Sequence, residues 1–133
     1  MKCNSFYKRL FFDSVDRNRY IMTEQIFRSL PFAVTACDKN GIIIYMNEKS
    51  ISTFVKNEGE SLIGKSLYDC HGESSAIKIR ELLETGETNS YTIEKNGLKK
   101  LIYQCPWYKN DVIAGLVEIS LVIPFEMEHF VRG

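Results

Sequence analysis

Three alternating runs in the last third of the chain constrain its fold most. Tyr91 and Ile93 share one side of the first run. Leu101, Tyr103, Cys105 and Trp107 share one side of the second, with Lys100 and Gln104 on the other. In the third, Val117, Ile119, Leu121 and Ile123 face one way against Glu118 and Ser120. A period of two marks strands with one buried face. Asn96-Gly97, between the first two runs, favours a type I′ hairpin turn, and Tyr108-Lys109-Asn110-Asp111 turns the chain back before the third. The stronger apolar set predicts a core-facing side of Leu101, Tyr103, Cys105, Val117 and Ile119. Ile102, Leu116 and Val122 are left for the outer side.

The first half supplies a second hairpin and the helices. Ala33–Cys37 and Ile42–Met46 read as strands paired across Asp38-Lys39-Asn40-Gly41. Asn47 suits a helix N-cap, with Ile51, Phe54 and Val55 as the inward stripe. Ser74 or Ser75 is expected to cap the next helix, in which Ala76, Ile79, Leu82 and Leu83 line one face. Gly86 stands where a left-handed C-terminal residue belongs. Thr23 is expected to cap a short helix, Glu24 to Ser29, which Pro31 ends. Upstream, residues 1–22 are basic and aromatic, and Tyr7, Leu10 and Phe11 fall at helical spacing. The order β-β-α-α-β-β-β predicts an α+β fold, an antiparallel sheet covered by helices on one face.

Length and composition narrow the function classes. A chain of 133 residues accommodates one ordinary domain, and its 44% hydrophobic content supports a core. A formal charge of zero gives no global field towards nucleic acid or an anionic membrane. No secretory leader or membrane span is evident, and four dispersed cysteines read as reduced thiols in the cytoplasm. Without a Cys-x-x-Cys pair, no structural metal is expected.

Three segments, read in order, resemble a PAS sensor domain over roughly residues 24–123. Leu30–Asn47 looks like that family's opening hairpin, Ser61-Leu62-Ile63-Gly64-Lys65-Ser66-Leu67 like its Gly-Lys/Arg-Ser/Thr-Leu turn, and Gly115–Ile119 like its last strand. The resemblance implies a five-stranded sheet, a small apolar chamber between sheet and helices, and sensing or dimerisation rather than catalysis. It divides the chain into an N-terminal extension (1–23), the PAS-like domain (24–123) and a tail (124–133). It implies a chamber lined by Phe54, Leu101, Tyr103, Cys105, Val117 and Ile119. It also implies a homodimer, or a complex with a signalling protein, held by Tyr7, Leu10, Phe11, Ile102, Leu116 and Val122. In place of the family's closing Asp-Ile/Val-Thr, this chain has Ser120-Leu121-Val122-Ile123-Pro124. With nine residues after Pro124, output is expected through a partner or the N-terminal segment.

Candidate chemistry is sparse. The stretch after Gly64 is Lys65-Ser66-Leu67, which excludes the photoreactive Asn-Cys-Arg motif of flavin light sensors. Haem-binding relatives place a histidine in the long helix, and Ser74 to Thr85 contains none, so haem is not expected. Cys105-Pro106 could direct a thiolate to haem iron, but on an apolar strand face Cys105 reads as a small hydrophobe. Asp69-Cys70-His71 precedes the long helix and could contact a ligand. A small apolar ligand is compatible with the chamber. An enzyme on a similar cone-shaped fold would need an acidic or histidine base inside it.

Overall fold

The computed structural model describes residues 5–133, with side chains throughout except those of residues 5–15 and 57. Helix α1 (Ser5–Arg28) leads to β1 (Ala33–Asp38) and β2 (Ile43–Met46). Then follow α2 (Glu48–Thr53), two 3-10 turns (Val55–Asn57 and Gly59–Leu62), α3 (Leu67–Cys70) and α4 (Glu73–Thr85). The chain closes with β3 (Asn89–Lys95), β4 (Leu98–Lys109) and β5 (Val112–Ile123). The strands form one antiparallel sheet in the order β2-β1-β5-β4-β3.

Turn chemistry sets this topology. Asp38 Oδ1 accepts the amides of Asn40 (2.8 Å) and Ile42 (3.0 Å), which folds the first hairpin. Asn96 and Gly97 both adopt positive φ (54° and 74°), as a type I′ turn requires. Asn110 and Asp111 do the same (50° and 61°), joining β4 to β5. Pro106 lies inside β4, but β3 ends opposite Gln104, so from there β4 has only β5 as a neighbour and a missing N–H is tolerated. Gly115 has no substitute. A Cβ there would overlap the Cys37 carbonyl and the Trp107 indole nitrogen, which donates to that carbonyl at 2.9 Å.

Two apolar clusters form the core between the sheet and its helices. Cys37, Ile79, Leu82 and Leu116 make one; Ile43, Met46 and Leu62 make the other. Arg80 stands 4.4 Å over the Tyr68 ring and ties α4 to α3.

Several local expectations change. Thr23 lies inside α1 rather than at a helix start, its hydroxyl donating to the Arg19 carbonyl at 2.8 Å. α4 begins two residues earlier than a Ser74 cap allows and three earlier than a Ser75 cap, at a Gly72 N-cap with no side-chain bond. Val55 is 68% exposed, because α2 stops at Thr53 and the chain tightens into a 3-10 turn. α1 runs unbroken across the expected boundary at residue 23.

Asn47 is the tightest junction. Its Oδ1 accepts from the amides of Val34 (3.0 Å) and Ser50 (2.9 Å), and its Nδ2 donates to the carbonyls of Phe27 (3.1 Å) and Phe32 (2.9 Å). Replacing Asn47 with Ala strands these groups in a fully buried position. At about 1 kcal/mol or more for each lost bond, Asn47→Ala should destabilise the domain by about 3 kcal/mol or more. Urea denaturation checks this; a loss below about 1 kcal/mol would contradict it.

Candidate functional site

Helix α4 packs on the sheet and leaves a cavity between them. The inner part, about 110 Å³, lies among Cys37, Ile43, Met46, Leu62, Leu67 and Leu116, with Cys70 and His71 at its rim. The outer part is an open groove of about 510 Å³ between α4 (Ser74, Ser75, Lys78, Ile79) and β3–β4–β5 (Asn89, Tyr91, Ile93, Lys100, Ile102, Ser120). Thr35, Phe54, His71, Ile79, Gln104 and Glu118 line both parts, so the space is continuous. Its volume falls in the range of small-molecule sites.

The sheet contributes a polar floor to this cavity. Asn89, Gln104, Glu118 and Thr35 stand opposite one another on four adjacent strands. Asn89 Nδ2 donates to Gln104 Oε1 (2.9 Å), and Gln104 Nε2 donates to Glu118 Oε2 (2.7 Å). Thr35 and Ser50 share a 2.6 Å hydroxyl contact, which extends the row to α2. Gln104 is buried and its amide is held at both ends, so the Glu118 carboxylate is fixed against the floor. Burial first, and then the nearby Glu118 charge, push the Tyr91 hydroxyl pKa upward.

The expected chamber face is inverted. Leu101, Tyr103, Cys105, Val117 and Ile119 occupy the opposite side of the sheet, and Tyr103 is 38% exposed. Ile102 and Leu116, expected outside, are buried at the cavity instead. Val122 shares their register but is 52% exposed at the strand end. The error is one of parity, since a shift of one residue exchanges the two faces of a strand. Apolar alternation points to one face as the cavity side, but the face bearing Gln104, Glu118 and Ser120 lines the groove. Cys105 therefore stands outside the cavity-facing register, whereas Pro106, opposite Leu116, shares it. Phe54 lines both parts of the cavity, and Cys70 and His71 reach its inner part. The side chains of Tyr7, Leu10 and Phe11 lie outside the described residues. Gln104 and Glu118 were legible only as polar residues in a strand; their pairing across β4 and β5 needed the register.

Parity can be tested by stability. Ile102→Ala removes a buried side chain and should cost about 2–5 kcal/mol, whereas Tyr103→Ala on the half-open face should cost clearly less. Equal costs in chemical denaturation would contradict this placement. Thiol reactivity offers a second check. Burial, partly offset by a backbone hydrogen bond from Leu116, raises the Cys37 pKa. Cys37 should therefore resist iodoacetamide in the native state while exposed Cys70 reacts, as read by peptide mass mapping. Faster labelling of Cys37 than of Cys70 would overturn it.

No curated protein matches the chain. Among solved structures, a sensory box sensor histidine kinase from Vibrio cholerae matches with a TM-score of 0.56 at 18% identity, over 85% of this chain and 98% of that one. A structure described as VqmA bound to DPO matches with a TM-score of 0.64 at 16% identity, over 79% of this chain and 58% of that one. The PAS domain of an HTR-like protein from Haloarcula marismortui matches with a TM-score of 0.55 at 14% identity, over 80% and 99%. These similarities concern the fold. The family model described as PAS fold matches residues 27–102, more than half of the sequence, and the chain belongs to that family.

Proposed function

We propose that this chain is a sensory module of a signalling system, in which the cavity beneath α4 takes up a small molecule and α1 carries the response. The observation that carries this reading is the continuous cavity with its ordered polar floor. A purely structural sheet face would be filled by apolar side chains, whereas this one holds Asn89, Gln104 and Glu118 in a fixed row beside open space. VqmA, a neighbour in fold, is described with the ligand DPO bound. The polar floor favours a polar ligand over the apolar one that the sequence suggested.

For output we propose a homodimer. The sheet face away from the helices carries Leu101, Tyr103, Val117, Ile119 and Leu121, all at least partly exposed. α1 carries exposed Tyr20, Ile21, Met22, Ile26 and Phe27. Two such surfaces can cover one another across a two-fold axis. Asn47 and the Arg28–Glu48 ion pair at 3.1 Å join α1 to the first helix of the domain.

Two measurements test this reading. Native mass spectrometry of the freshly purified chain should retain a small molecule that is lost on denaturation. Light scattering should give a dimer, and Ile119→Lys on the outer face should shift it towards monomer. A monomeric parent chain would remove the dimer reading, and a chain with neither retained nor added ligand would remove the sensor reading.

A further inference from the structure

The floor of the cavity carries a charge that the protein leaves uncompensated. Glu118 Oε2 is engaged by Gln104, but among the described residues nothing donates to Oε1. Nor does any Lys, Arg or His nitrogen among them approach the carboxylate within 4.0 Å. Glu118 is half-buried and lines the groove together with Phe54 and Ile79, so its free oxygen is open to a ligand. A ligand that donates from nitrogen would pair with this oxygen and its charge.

The opposite end of the space has the opposite sign. Past Thr53, Lys95 and Lys100, the groove opens into a depression of about 380 Å³. Lys49, Lys56, Lys95 and Lys100 surround it, with no acidic residue on its walls. None of the four is ion-paired among the described residues. Four ammonium groups around one concavity repel each other and attract an anion.

Building on the sensor reading, we propose that the ligand is a bipolar small molecule. Its nitrogen-centred donor head binds the free oxygen of Glu118, and its carboxylate or phosphate lies among these lysines. A simple amine would complete the floor but meet repulsion at the mouth. A simple anion would find the lysines and leave Glu118 unpaired. An apolar molecule would satisfy neither end. Adenine and guanine nucleotides share the required chemistry and span, a base nitrogen donor and a phosphate held apart by the ribose.

Isothermal titration of the full chain separates these sources. Adenosine monophosphate forms one arm and guanosine monophosphate the other, with adenosine, guanosine and inorganic phosphate as single-ended probes. We expect binding in one arm, at least about tenfold tighter than any single-ended probe, and weakened at least about tenfold by Glu118→Gln. Lys100→Glu should weaken it similarly, and added salt should reduce the affinity. Lys56→Glu, at an exposed position away from the sheet, gives the same readout should the strand variants fail to fold. Equal affinity in Glu118→Gln, or a retained molecule lacking either end, overturns the bipolar assignment and leaves the sensor reading standing. A chain that retains nothing and binds no probe overturns both.

Discussion

The domain depends on one amide. Asn47 ends β2, caps α2 and closes α1, using both donors and both acceptors of its side chain. The N–H groups that open a helix and the carbonyls that close one lack intrahelical partners, and elsewhere separate residues or water satisfy them. Here a single fully buried side chain satisfies one of each, together with the Val34 amide and the Phe32 carbonyl. α1 cannot shift along its axis or tilt at its C-terminal end without breaking a bond to Asn47. That is why a helix whose described residues are all exposed still has a defined point of attachment.

From that junction the structure divides by sheet face. The inner face gains its stability from α4, whose Ile79 and Leu82 are buried against Cys37 and Leu116. α4 covers only part of the sheet, however. β3, at the edge, has Tyr91 and Ile93 turned to the groove yet substantially exposed. The cavity therefore results from a helix too short to cover five strands, and the polar row lies where cover gives way to open space. Polar side chains at that boundary hydrogen-bond with one another and still meet solvent, so they escape the full cost of burial.

The sequence revealed the skeleton because turns and caps are local. Asn96-Gly97, Asp38–Gly41, Asn47 and Gly86 each determine backbone geometry within four residues, and each adopted the expected geometry. The order of strands and helices followed from them. Face assignment failed because it depends on what lies above the sheet, which no strand encodes by itself. In β4 and β5 the more apolar face is the outer one, with Tyr103, Cys105, Val117 and Ile119, while Gln104 and Glu118 face the helices. The rule that apolar residues turn towards the core assumes that only one face has something to cover it.

That inversion bears on function. β4 and β5 turn Gln104 and Glu118 to the helices beside buried Ile102 and Leu116, and keep Tyr103, Val117 and Ile119 on the outer face. The inner side keeps a polar row that the protein's own side chains satisfy only in part, and the outer side keeps apolar surface that its own helices do not reach. Both sides are therefore left open, one at the groove beneath α4 and the other on the outer surface of the sheet. The strands that hold Gln104 and Glu118 inward hold Tyr103 and Ile119 outward, in adjacent positions of the same ladder. A change in strand twist as Glu118 gains a partner would move both faces together. The two-residue period of β4 and β5 thus gives the shortest physical path between the cavity and the outer surface.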